Sequence, residues 1–544
     1  MLNRPNESLR HRITTTRWLS PILPTLTLLL TTPHLMVRAR VTDLLITGTA
    51  GTAARPAVCL VLLLLALPLF HARAAETPAT PRVQVVDILV TCQSYDEHMP
   101  WRLSRPQFRQ GYGVVVGEGR VLTTEELVRQ ATLVELRQPG RATKYPAQVR
   151  QADPQLSAAL LEVSDAAFRR DLAPVTLATN VVRGSQTRIV QYDDSGLRQE
   201  GAGRIVEIGV ESLPSAPAAV LTLRVLSDLR VQNHGAPVYS EDGQLAGIMM
   251  RYDAQHQTGF VLPAPVLARF LQAAAAPVYV APPGGGFSCI PLVDAIKRRY
   301  FGLTNEVGGV QITDILTNST VCGVLQPNDV LLRWDGFAID DQGYYADPEY
   351  GRTRLSHAIE GRRSTGEPVP IEFMRNGEHR QAVVTLRPES DADALIPENT
   401  TGLPPDYLVE NGLVIRELSG RYLHSGGRSV SSGNLRLSHI YLSRAGQPEQ
   451  AGDRVVILTG VLPDPVNVGY QELHDEVIAE INGEAVHNLR DVFHILDCDH
   501  GIARVALLGH GVDVQLDTAQ RAAVNARIAK AYRIPELRRP SASP

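Results

Sequence analysis

Between Val83 and about Ala274 the chain alternates short apolar runs with clusters of turn residues. Apolar stretches at 85–90, 113–116, 158–163, 186–190, 219–225 and 245–250 are separated by turns such as Gly117-Glu118-Gly119, Asp193-Asp194-Ser195-Gly196 and Glu241-Asp242-Gly243. Runs this short, at this spacing, predict an antiparallel barrel or sandwich. Residues 265–276, opened by proline and rich in Ala and Leu, predict a closing helix. Ala281-Pro282-Pro283-Gly284-Gly285-Gly286 then reads as a linker, and a second boundary falls near 391–405, where acids, Asn, Thr, Gly and paired prolines gather.

Behind the linker lies a weak internal repeat. Residues 329–339 line up with 476–486, each an apolar strand entering an Asp335-Gly336 or Asn482-Gly483 turn and leaving through a second apolar pair. Such dipeptides favour the tight turn of a two-residue hairpin, so two related small β domains are expected. After Leu516 the chain reads as an Ala-rich helix to about Tyr532, then as a Pro- and Ser-rich tail. With 544 residues, 43 glycines, 37 prolines and 5% aromatics, the chain predicts about three domains in which helix is the minor component.

Charge and cysteine change the picture less. The first 74 residues hold eight arginines against Glu7 and Asp43, leaving 45 basic and 55 acidic residues behind them. An acidic body without a basic stripe argues against nucleic acid as a partner. Arg55, the uncharged run 57–70 and Ala72-Arg73-Ala74 predict a cleaved export signal near Ala74, followed by a periplasmic or secreted chain. The run is shorter than the roughly 20 residues of a bilayer span, so no stable membrane span is expected. Cys59, Cys92, Cys289, Cys322 and Cys498 show no metal-ligand spacing, so no metal is predicted and any disulfide stays open.

The motifs resemble those of the HtrA/Deg (protease Do-like) serine proteases, in the branch whose plant members carry two PDZ domains. The family's glycine-x-glycine-valine-valine is matched by Gly111-Tyr112-Gly113-Val114-Val115, and its leucine-threonine-asparagine-x-histidine by Leu122-Thr123-Thr124-Glu125-Glu126. Its aspartate-led strand is matched by Ser157-Ala158-Ala159-Leu160-Leu161, and its nucleophile loop by Gln232-Asn233-His234-Gly235-Ala236-Pro237. The resemblance therefore puts Glu126 at the base, Ser157 at the orienting acid, His234 at the nucleophile and Gln232 at an oxyanion-hole glycine. A working triad holds an imidazole between hydroxyl and carboxylate. Here a carboxylate takes the middle place, so no activated nucleophile is expected. His98 and His256 are the other imidazoles a displaced triad could use, but neither ends a Thr-x-x-His strand. Glu126 and His234 are expected to pair across the cleft.

The resemblance implies a mainly β chain: a leader (1–74), a trypsin-like double β-barrel (75–278), PDZ-like domains at 279–392 and 400–515, and a helical tail (516–544). PDZ domains take up an extended peptide as an added strand. The carboxylate-binding loop is placed at 287–292 in the first, with Ile290, Pro291 and Leu292 as candidate contacts, and at 407–414 in the second, with Gly412, Leu413 and Val414. Pro291 lacks the N–H that such a loop needs. The implied partners are unfolded or extended polypeptides and further copies of the chain, in a trimer or larger homo-oligomer, with no cofactor. The expected function is that of an inactive protease relative acting as holdase, scaffold or regulator. The alternatives are an active ATP-independent serine endopeptidase with its triad elsewhere, and a structural envelope protein with blocked grooves.

Overall fold

The computed structural model describes residues 83–540 apart from 171, 194, 213–218, 305–306, 389–392, 399–403, 426–433, 499–500 and 510–512. The expected leader lies outside the described residues. Twelve strands build two closed barrels. The first consists of β1 (Val85–Cys92), β2 (Gln107–Gly117), β3 (Arg120–Thr124), β4 (Ala131–Arg137), β5 (Lys144–Asp153) and β6 (Ala158–Glu162), in the order β1-β2-β3-β6-β5-β4. The second consists of β7 (Gln186–Tyr192), β8 (Arg198–Ser212), β9 (Ala219–Ser227), β10 (Pro237–Ser240), β11 (Leu245–Asp253) and β12 (Thr258–Pro263), in the order β10-β11-β12-β9-β8-β7. Ile88, Val115, Val121, Leu136 and Leu161 fill one barrel, and Ile189, Val225, Val238, Met249 and Val261 the other. Between them Val114, Leu122 and Leu160 meet Leu245, Ile248 and Leu262, and the helix Ala264–Ala275 closes this layer with Leu267 and Phe270.

Behind the barrels come two β modules. In module 1 the strands Phe287–Pro291, Val310–Ile315, Val330–Trp334, Pro368–Arg375 and Glu378–Thr385 pair in that order. In module 2 the sheet runs from Val514–Asp517 through Ile502–Leu507, Glu476–Ile481, Val456–Val461 and Leu413–Glu417 to Tyr407–Glu410, and ends on the C-terminal strand Arg538–Arg539. Both expected hairpins form. Asp335 and Gly336 sit at φ +50° and +80°, and Asn482 and Gly483 at +55° and +84°, the left-handed pair that a two-residue turn matching strand twist requires. The tail helix spans Arg521–Tyr532. Among the described residues no helix is long and apolar enough to cross a membrane, no His/Cys/Asp/Glu group could hold a metal, and Cys92, Cys289, Cys322 and Cys498 are free thiols.

One contact bridges residues 319 apart. The β1–β2 connection leaves the first barrel and docks on module 2. There Arg416, whose side chain is 2% exposed, donates to the Glu97 carbonyl at 2.9 Å and to its carboxylate at 2.8 Å. Arg421 takes the other carboxylate oxygen at 2.6 Å. Trp101 from the same connection is buried with Tyr407, Val409, Val414, Val524 and Ile528. An uncompensated buried guanidinium is costly, so Glu97→Ala should destabilise the chain by about 3–5 kcal/mol in urea unfolding. Glu449→Ala, which removes the exposed partner of Arg444, should cost less than about 1 kcal/mol.

Module 1 meets the second barrel along its short helix Leu355–Glu360, across a cavity of about 260 Å³ lined by Val210, Val220, Val266, Tyr350 and His357. Burial lowers the His357 pKa to about 4; Asp347, 4.0 Å away, opposes the shift, while Arg269 and Arg362 add to it. The neutral imidazole therefore belongs to the folded state, and the unfolded chain takes up the proton first as pH falls below about 6.5. Stability carried by His357 should be complete above that pH and be lost progressively toward pH 4, by on the order of 3 kcal/mol. Urea midpoints between pH 7 and 4 check this, and His357→Asn should flatten the profile.

Candidate functional site

The cleft between the barrels is set by backbone before any side chain enters it. Gly111 on β2 bridges in parallel to His234, and the Tyr112 N–H donates to the His234 carbonyl at 2.8 Å. Gly235 follows at φ +81°, where a Cβ would stand 2.0 Å from the Tyr112 carbonyl oxygen. Only glycine allows this approach, and it pins the 232–236 loop to the first barrel. On the opposite wall β3 ends at Thr124 and turns into the short helix Glu125–Val128. Arg109 holds that helix by donating to the Glu126 carbonyl at 2.8 Å and the Arg129 carbonyl at 3.2 Å, and Glu125 turns inward to pair with Arg129.

Glu126 and His234 are thereby brought face to face, with Nδ1 of His234 4.0 Å from the Glu126 carboxylate. That is too long for a hydrogen bond and within reach of an ion pair once the imidazole is protonated. Their side chains are 43% and 37% exposed, although Nδ1 itself is buried and has no hydrogen-bond partner. Ser157 lies at the start of β6 with φ +54°, and its carbonyl accepts the Glu125 N–H at 3.1 Å. The Gln232 N–H is directed at the side-chain oxygen of Gln191, 3.4 Å away. Gln191 is buried and donates in turn to Gln199 and to the Arg230 carbonyl, so this loop leans on the second barrel. His256 lies at an exposed turn with Nδ1 2.8 Å from Asp253, and His98 packs against Tyr422 in module 2.

One polar contact near the cleft escaped the sequence reading. Asp153, buried at the end of β5, accepts from the hydroxyl of Tyr279, just ahead of the linker, and from the Leu156 N–H, and so ties the approach to the linker to the turn that carries Ser157. Burial and the carboxylate together push the Tyr279 hydroxyl above the usual phenol range. No local motif announces a pair 126 residues apart.

The peptide-binding candidates divide differently from expectation. Residues 287–291 form a strand, not a loop; they pair with Val310–Ile315 on one edge only, and residues 288–291 are exposed. Proline is tolerated there because an edge strand needs no N–H on its outer side. Leu292 is buried with Leu303, Val330 and Leu332, so its side chain serves the core. In module 2, Gly412 at φ +90° closes the hairpin between Tyr407–Glu410 and Leu413–Glu417, and a Cβ there would lie 2.3 Å from the Asn467 amide nitrogen. Leu413 and Val414 are core residues, and their strand is paired on both edges. These three positions build the module and leave no room for an added strand beside them.

The comparisons with known proteins agree with this architecture. Residues 111–248 match the trypsin-like peptidase domain family and residues 396–541 the PDZ domain family. The chain is 25% identical over 419 residues to Protease Do-like 2, chloroplastic, of Arabidopsis thaliana, covering 76% of this chain and 67% of that one. It is 23% identical over 405 residues to Protease Do-like 4, mitochondrial, of the same plant, covering 73% of each. A solved structure of the HtrA-type protease AlgW with tripeptide aligns with a TM-score of 0.44 at 20% identity, over 57% of this chain and 96% of that one. Two closed barrels with a matching peptidase profile and a matching PDZ profile behind them make this a protein with a trypsin-like peptidase domain and at least one PDZ domain, similar over most of its length to the protease Do-like proteins.

Proposed function

We propose that this chain is an exported, proteolytically inactive relative of the HtrA/Deg proteases that holds unfolded or extended polypeptide segments, with module 1 serving as a second PDZ-like domain. The observation that carries the reading is the facing pair Glu126 and His234. With a carboxylate at the base position and the imidazole at the nucleophile position, no group can take a proton from a hydroxyl aimed at a peptide bond. Gln232 adds to this, since its N–H is turned toward Gln191 and away from a developing oxyanion, and loss of one such donor typically costs about 100- to 1,000-fold. For polypeptide capture the support is the open edge of Phe287–Pro291, a ready template for an added strand. The copies are proposed to assemble through their barrels into a trimer or a multiple of it, and the chain acts as holdase, scaffold or regulator of active relatives.

Two measurements test the reading. Purified protein should suppress aggregation of an unfolded client while leaving casein intact and a serine-directed fluorophosphonate unreacted; labelling of the unaltered chain would show that an active serine lies elsewhere. Rebuilding the family's residues through Glu126→His, Ser157→Asp and His234→Ser should create a labelled serine. Adding Gln232→Gly should then raise the labelling rate by about 100-fold. Absence of labelling in a correctly folded fourfold variant would refute the placement of the four positions.

A further inference from the structure

At the far end of module 2 the chain's own C-terminal segment lies along the strand Tyr407–Glu410. Tyr407 faces Arg539 and Leu408 faces Arg538 in antiparallel register, and the Val409 N–H donates to the Leu537 carbonyl at 2.7 Å. The two arginines meet different surroundings. Arg538 pairs with Asp497 on the helix Leu489–Asp497, stands 3.9 Å from the buried Glu410 carboxylate, and lies over the Phe493 ring at 5.8 Å. Arg539 lies 5.8 Å from the Tyr407 ring and 5.9 Å from the Tyr95 ring. Pro540 borders a cavity of about 310 Å³ whose walls carry the acids Asp406 and Glu417 beside Arg454 and Arg490.

We propose that this acidic and aromatic slot is a recognition site for extended polypeptide segments carrying two adjacent arginines, and that residues 538–539 are its resident occupant in cis. Backbone pairing along Tyr407–Glu410 supplies sequence-independent affinity. Asp497, which bonds Arg538, and the faces of Phe493, Tyr407 and Tyr95 supply the preference for guanidinium, which bonds carboxylates in a planar fork and stacks on rings where an ammonium does neither as well; Glu410, bonded to Arg521, adds negative charge nearby. The occupant is displaceable in a way the core is not. Ile534 is buried and fixes the segment upstream, whereas Arg538 and Arg539 keep 34% and 28% of their side-chain surface and are held by a strand of only two residues. The site differs from the open edge of module 1 and from the barrel cleft, so it stands or falls independently of the proposed holdase role.

The test is fluorescence anisotropy with a labelled peptide of the tail's own sequence, Ile-Pro-Glu-Leu-Arg-Arg-Pro, against the full chain. A tethered occupant competes at an effective concentration in the millimolar range, so Arg538→Ala with Arg539→Ala should bind the peptide at least about tenfold more tightly than the unaltered protein. Adding Asp497→Lys to that variant should reverse the gain, and a peptide with Ala-Ala in place of Arg-Arg should bind at least about tenfold more weakly. Equal binding of the two peptides, no gain on disabling the tail, or indifference to Asp497→Lys would overturn the proposal. Asp497→Lys in the otherwise unaltered chain provides a check that leaves the tail sequence intact, and should speed trypsin cleavage after Arg538 several-fold; an unchanged rate would equally overturn it.

Discussion

A guanidinium inside module 2 needs a carboxylate, and the chain brings that carboxylate from the β1–β2 connection of the first barrel. The Arg416 side chain is almost wholly withdrawn from water, and Glu97 meets it through both carbonyl and carboxylate while Arg421 takes the remaining oxygen. Any displacement of the barrel from the module strands one or more of these charges in a poorly solvating interior, which makes the docked arrangement sharply preferred over neighbouring ones. Trp101 adds apolar area at the same place. The pair thus does what a sheet or a shared core does elsewhere in the molecule: it specifies how one folded body sits on another. Through the same β1–β2 connection, module 2 is coupled to a barrel whose other end supplies Glu126.

The cleft is framed by backbone geometry rather than by its side chains. Gly111, Gly235 and the 232–236 loop meet as closely as two chains can, and the short helix Glu125–Val128 is capped by Arg109. Glu126, Ser157 and His234 stand on this frame while both barrels close and pack around their own cores.

What could be read from the residues was what local spacing encodes. The apolar runs at 85–90, 186–190 and 245–250 became β1, β7 and β11, and the Asp335-Gly336 and Asn482-Gly483 dipeptides became turns because both central residues take left-handed φ. Motif order singled out Glu126 and His234, but the 4.0 Å between them depends on the register of two barrels and is written in no single stretch. Nonlocal polar pairs were silent: Glu97 with Arg416 and Asp153 with Tyr279 are ordinary surface-type residues until the fold buries them. The segment 287–292 was misplaced for a related reason. The PDZ resemblance carried a loop onto these residues, and only pairing with Val310–Ile315 makes them a strand.

The two modules treat their strand edges in opposite ways, and this bears on how the protein survives at high concentration. Module 2 covers its outer strand Tyr407–Glu410 with residues 538–539 of its own chain, so a stranger's backbone must first displace them. Module 1 leaves Phe287–Pro291 uncovered, next to a short helix whose Ile296 and Tyr300 also face solvent. Pro291 then acts as a gatekeeper: by withholding a donor at the end of the bare strand, it shortens the ladder on which edge-to-edge fibril growth could propagate.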